Sequence, residues 1–156
     1  TADRSILTSL VATAQAVGAA ALIADDADLA KSLGADGVHL GPGADIADRY
    51  AAARVRLGRT AIVGVDPGQS RHDAMTAGED GADYIAFGLP APESATAPGA
   101  EIRNELVAWW AEVFEVPCVH EGSSAPGRTC GRCAKSATPR PRPCRRTRGD
   151  EPSPPT

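Results

Sequence analysis

Residues 19–41 read AAALIADDADLAKSLGADGVHLG, and this stretch restricts the fold more than any other. An apolar run, Ala20 to Ala24, ends in two carboxylates, Asp25 and Asp26. A short helical segment follows, with Ala27, Leu29, Ala30 and Leu33 as its buried side. Gly34 fits the left-handed position that closes such a helix. A second apolar run, Gly37 to Leu40, is closed by Gly41 and Pro42. Strand, helix and strand in about twenty residues predict a β-α-β unit in a parallel sheet. Polar residues just after a strand then stand at the carboxyl edge of the sheet, where α/β enzymes carry their chemistry. Asp25 and Asp26 are the first functional candidates, with a helix cap and a solvated neighbour as the plain alternative.

The same rhythm runs through the first 120 residues. The spacing predicts helices over Ser5–Val17, Ala27–Leu33, Ile46–Leu57, Arg71–Asp80 and Glu101–Val113. It predicts strands over Ala20–Ala24, Gly37–Leu40, Ala61–Val65, Tyr84–Phe87 and Val116–Val119. Asp45 and Ser70 stand where they can cap the third and fourth helices. Arg49, Arg54 and Arg56 are expected to face water. One repeat of roughly 20–25 residues suits a (β/α) barrel or an open α/β sheet. Five strand signals fall short of the eight that close a barrel. The expected fold is therefore α/β, an incomplete TIM-type (β/α) barrel of about five β/α units, with open edges and exposed apolar helix faces unless another protein or a second copy covers them.

The pattern stops at residue 120, and the charge changes with it. Residues 1–120 carry 8 Lys/Arg against 17 Asp/Glu, a net of −9, while residues 121–156 carry 8 against 3, a net of +5. The second segment holds 7 of the 13 prolines and no Val, Ile, Leu or Phe, so burial cannot offset its ordering entropy. Residues 121–156 are expected to form a disordered basic tail. The abruptness of the change reads as a shifted coding frame. Such a tail can touch nucleic acid only weakly and without sequence preference. Cys130 and Cys133 have the spacing of half a zinc ribbon, but no second pair follows. Three of the four cysteines lie in this tail and Cys118 stands alone, which is no disulfide framework, so a cytoplasmic location is expected. No apolar run approaches the roughly 18 residues of a membrane span, and residues 9–23 lack the basic cluster of a secretion signal. The chain opens on Thr rather than Met, which reads as processing, truncation or a partial sequence.

Several phrases, in order and spacing, resemble the thiamine-phosphate synthase family: Asp25-Asp26, Ala35-Asp36-Gly37-Val38-His39-Leu40-Gly41, Ile62-Val63-Gly64-Val65, Gly81-Ala82-Asp83-Tyr84 and Phe87-Gly88. The resemblance covers roughly Ala20 to Val119. It implies a (β/α)₈ barrel that joins hydroxymethylpyrimidine diphosphate to thiazole phosphate, with Mg²⁺ as cofactor and release of pyrophosphate. It implies small phosphorylated molecules as partners; the composition implies no membrane or specific nucleic-acid role, and a homo-oligomer is one way to cover the open faces. Asp25 falls on one magnesium aspartate, and Asp45 matches the second with one extra residue. His39, Asp66, Gly88 and Gly122 fall on or beside substrate-binding positions. For His39, a hydrogen-bonded structural role and a catalytic base both stay open.

The chain departs from the family pattern where the chemistry lies. Asp66 stands in place of a hydroxyl expected to touch pyrophosphate. Pro42 replaces a glutamine. The segment Gly88 to Gly99 lacks the family's lysine, and the opening strands with their pyrimidine-binding set are missing. Departure of pyrophosphate needs cations around the developing charge, so these changes imply weak or absent catalysis. The alternative is a non-catalytic phosphate-ligand-binding module on the same fold.

Overall fold

The computed structural model describes residues 3–88 and 97–120. Helices and strands alternate throughout: α1 (Arg4–Ala16), β1 (Leu22–Ala24), α2 (Ala27–Leu33), β2 (Gly37–Leu40), α3 (Ile46–Leu57), β3 (Ile62–Val65), α4 (Arg71–Glu79), β4 (Tyr84–Phe87), α5 (Ala97–Val113) and β5 (Cys118–His120). The five strands form one parallel sheet in the order β1-β2-β3-β4-β5. A sequential order means that every crossover steps the same way. Right-handed crossovers then place all the helices on one face. This is the wall of a (β/α) barrel, not a doubly wound sheet, and five strands make part of one. The expected disorder of 121–156, Cys130, Cys133 and Gly122 lie outside the described residues.

Most element ends match the sequence pattern, and the exceptions have local causes. The fifth strand starts at Cys118 rather than Val116 because Pro117 has no N–H for a ladder; its carbonyl instead accepts from the Ile85 amide at 2.9 Å. Helix α5 begins at Ala97, four residues early, since Pro98 is tolerated in a first turn. Asp45 does not cap α3. Its own backbone is left-handed (φ 57°) and its side chain makes no cap bond. Ser70 does cap α4, accepting from the Asp73 amide, and Asp26 caps α2 through the Leu29 amide at 2.7 Å.

The two faces of the sheet differ. Val38, Leu40, Val63, Val65, Ile85, Phe87 and Cys118 point to the helices and join Tyr50, Leu106 and Trp110 in the core. Trp110 is fully buried, meets Phe87 edge-on, stacks on Phe114 at 4.1 Å and donates its indole N–H to the Val116 carbonyl at 2.8 Å. Trp109 is half-buried beside it. On the opposite face the register places Ala24, His39, Gly64 and Tyr84 in one row. A Cβ at Gly64 would lie 2.0 Å from the Tyr84 ring, so the ring lies across that glycine and its hydroxyl reaches His39 Nδ1 at 2.9 Å. Outside this face, Ile6, Leu10 and Val17 form an apolar stripe on and just after α1, each more than half exposed.

The phrase Gly-Ala-Asp occurs before β2 and again before β4, and it does the same work twice. Gly34 and Gly81 take positive φ at the helix ends. Ala35 and Ala82 donate back to Ala30 and Ala77. The Asp36 and Asp83 amides donate to Ala21 and Val63 carbonyls of the neighbouring strand segments. Their Oδ2 atoms accept from the amides of those same residues, at 2.8 and 2.9 Å. Each Asp–Gly pair is also bridged from a helix: Gln15 Nε2 bonds the Gly34 carbonyl and Asp36, and Arg54 Nη2 bonds the Gly81 carbonyl and Asp83. Burial alone lowers the Arg54 pKa, but the bonds to Asp83 and Tyr50 outweigh it and raise the pKa above the ordinary guanidinium value.

Gly64→Ala is expected to destabilise the fold by about 1–3 kcal/mol, the usual cost of forcing atoms into a packed site. In a Tyr84→Ala background the same change should cost less than about 1 kcal/mol. Urea melts of the four variants measure the difference, and equal costs in both backgrounds would contradict the packing of Tyr84 over Gly64.

Candidate active site

All five strands run in one direction, so the loops after them gather at one edge. That edge carries Asp25 after β1, the turn Gly41–Asp45 after β2, Asp66 after β3 and Gly88 after β4.

The adjacent carboxylates Asp25 and Asp26 divide their roles. Asp26 is spent on capping α2. Asp25 takes a left-handed backbone, φ 56°, a region costly for a side-chain-bearing residue and tolerated best by Asp and Asn. Its amide donates to the His39 carbonyl at 2.8 Å, which extends the β1–β2 ladder by one bond. Its Oδ1 accepts from the Gly41 amide at 2.7 Å and from Arg49 Nη2 at 2.5 Å. Arg49 Nη1 donates to the Gly41 carbonyl at 2.9 Å, so the guanidinium clips the first two strand ends together. A side chain at Gly41 would meet Asp25 Oδ2 at 3.3 Å, and one at Gly43 would meet Arg49 Nη1 at 3.1 Å. Both glycines leave room for the pair.

Among the described residues, the non-glycine residues with positive φ are Asp25 and Asp45. These are the two residues that the resemblance assigns to the metal. Both stand exposed on the same edge. An outlying backbone is maintained where the surroundings impose it, and such outliers concentrate at functional sites.

Asp66 is enclosed rather than displayed. It is 1% exposed. Its Oδ1 accepts from the Gly68 amide at 2.7 Å and its Oδ2 from the Gly88 amide at 3.0 Å. Its own amide donates to the Leu40 carbonyl at 2.8 Å. One side chain thus ties the β3 loop to the end of β4. Gly88 is buried and presents its amide to Asp66. His39 lies on the face opposite the helix-facing core, stacked on Tyr84 with ring planes 8° apart. Asp25 and Arg49 therefore join β1 to β2, and Asp66 joins β3 to β4. Gly122 and most of the Gly88–Gly99 segment lie outside the described residues.

Arg49 is the residue that sequence reasoning missed, since helical spacing set it facing water. A signal was present. A cation in the first turn of a helix faces the positive end of the dipole, and it is favoured there only when an anion holds it. Among the described residues no group of three or more His, Cys, Asp or Glu side chains is arranged to hold a metal ion. No described helix is long and apolar enough to cross a membrane.

A parallel sheet in sequential order, with carboxylates at its carboxyl edge, defines a protein of the (β/α)-barrel class. Comparison with known proteins narrows this. A model of the thiamine monophosphate synthase family matches residues 4–129. The chain is 45% identical over 108 residues to a thiamine-phosphate synthase of Rhodospirillum centenum, covering 69% of this chain and 51% of that protein. It is 47% identical over 108 residues to one of Erythrobacter litoralis, covering 67% and 49%. A thiamine phosphate pyrophosphorylase structure from Pyrococcus furiosus superposes with a TM-score of 0.55 at 24% identity, covering 88% of this chain and 65% of that one, which shows the shared fold. The chain belongs to the thiamine monophosphate synthase family. It spans about half the length of the curated relatives it matches.

Asp66→Ala leaves two amides without their acceptor, the part-buried one of Gly68 and the buried one of Gly88. The expected cost is about 2–4 kcal/mol, with Asp66→Asn intermediate because one carbonyl oxygen survives. Denaturant titration checks this. A loss below about 0.5 kcal/mol for Asp66→Ala would show that the carboxylate does not hold these loops.

Proposed function

We propose that this chain is a thiamine-phosphate-synthase-type protein that binds phosphorylated substrates at the carboxyl ends of its strands. By that reading it joins hydroxymethylpyrimidine diphosphate to thiazole phosphate and releases pyrophosphate, at a rate far below that of its longer relatives. The observation that carries the reading is the pair of left-handed aspartates, Asp25 and Asp45, on that edge of a family fold. Their donor set suits a hard divalent cation, because it offers carboxylate oxygens alone and the Asp45 side chain is not consumed by a cap. Asp25 and Asp45 would hold Mg²⁺, whose charge would offset that of the departing pyrophosphate.

The chain's own residues set the limits. Asp66 spends both oxygens on backbone amides, so it supplies rigidity and no donor to a diphosphate. The segment 88–99 contains no Lys or Arg. Loss of one transition-state donor costs about 3 kcal/mol, or roughly a hundredfold in rate. His39 and Tyr84 form a hydrogen-bonded pair on the face of the sheet turned away from the helix-facing core. We place the protein in the cytoplasm on the same reading. The spent Asp66 and the cation-free segment also favour a second reading, a phosphate-binding module without turnover.

Purified chain is mixed with the pyrimidine diphosphate, thiazole phosphate and Mg²⁺, and thiamine phosphate is measured. The expected rate is at least about a hundredfold below that of the full-length Rhodospirillum centenum relative, and Asp25→Ala should abolish it. No turnover together with calorimetric binding of thiazole phosphate selects the binding module. Neither turnover nor binding removes both readings.

A further inference from the structure

We propose that Arg49 is a built-in competitor for the cation at Asp25, which must leave Oδ1 before a divalent ion can take that oxygen. The inference rests on the metal role of Asp25 in the reading above, and not on turnover. The geometry is specific. The guanidinium spans the Gly41 carbonyl and Asp25 Oδ1 with two nitrogens, at 2.9 and 2.5 Å. A planar fork suits such a paired contact, whereas an ammonium makes it at one point only. The two glycines of the turn leave the space that the pair fills.

Electrostatics holds Arg49 in place. It lies in the first turn of α3, where the helix dipole disfavours a cation, and the Asp25 carboxylate offsets that. The pair is accessible, with side chains 33% and 55% exposed for Arg49 and Asp25. Exposed ion pairs are weak, so the contact can open. A divalent ion and the guanidinium seek the same lone pairs, and the two positive charges repel at contact distance. Asp25 as it stands is therefore a neutralised ligand. Opening the clip uncovers the carboxylate's charge and at the same time releases the β2 turn that carries Asp45.

The test uses Mn²⁺ alone, followed by the loss of the free-ion signal in electron paramagnetic resonance, on the whole chain. Arg49→Gln should bind Mn²⁺ about tenfold more tightly than the unaltered protein, the scale set by losing one exposed ion pair and its repulsion. Arg49→Lys should fall between them, because a single point contact competes less well than a fork. Asp25→Asn should erase the gain in the Arg49→Gln background. Circular dichroism and urea midpoints establish that each variant is folded, and if Arg49→Gln is not, Arg49→Lys carries the comparison. Equal or weaker Mn²⁺ binding by both Arg49 variants overturns the proposal, as does a gain that survives Asp25→Asn. No substrate enters the experiment, so the two readings fail separately. Absent thiamine phosphate formation with the full Mn²⁺ pattern removes the synthase and leaves Arg49 its role. Turnover with a flat Mn²⁺ series does the reverse.

Discussion

Asp36 and Asp83 hold the register of the sheet, and the remaining geometry follows from that register. Each carboxylate accepts the backbone N–H of a neighbouring strand segment while its own amide donates to the carbonyl of the same residue. A parallel pair has no tight hairpin to set its alignment. A one-residue slip would turn every side chain to the wrong face. The reciprocal bonds at the amino ends remove that freedom between β1 and β2 and between β3 and β4. With the strands aligned, Val38, Val63, Ile85 and their neighbours all meet the helices, and the four loops at the other end come level.

The two ends of the sheet use carboxylates differently. At the amino ends Asp36 and Asp83 are bound by amides and by a helix-borne Gln15 or Arg54, and they stabilise. At the carboxyl ends Asp66 is likewise consumed by amides, but Asp25 and Asp45 keep exposed carboxylates on an unfavourable backbone. The left-handed backbone is itself costly, and at Asp25 the bonds to the Gly41 amide and Arg49 offset part of that cost. Asp66 shows how residue type and local surroundings separate: a carboxylate at a strand end reads from sequence as an open charge, yet in the structure it is an enclosed bracket between two loops.

Part of a barrel has surfaces that a whole one would bury. The row Ala24, His39, Gly64 and Tyr84 would face a barrel interior, and the stripe of Ile6, Leu10 and Val17 would face a neighbouring unit. The stripe is more than half exposed at each of its residues, whereas in the row Gly64 is buried and His39 and Tyr84 are part-buried. The Tyr84 ring partly fills this face by lying across Gly64 and bonding His39.

Sequence alone determined the elements and their order. The bounds of α2, β2, α3 and β4 follow from local signals: period 2 or 3.6, a capping Asp26, a left-handed Gly34, the turn at Gly41 and Pro42. Such signals act over a few residues, so they are written along the chain. The family phrases placed Asp25 and Asp45 at strand ends by the same local logic. Tertiary structure alone decided how those residues are used. Arg49 meets Asp25 across 24 positions and Asp66 meets Gly88 across 22, and no periodicity encodes a contact between loops of different strands. Asp45 had the residue type of a cap, but the Gly41–Gly43 turn folds around Arg49 and delivers it in a left-handed conformation, which removes the cap geometry. Pairings between strand ends depend on the twist and register of the assembled sheet, and these exist only once the strands have come together.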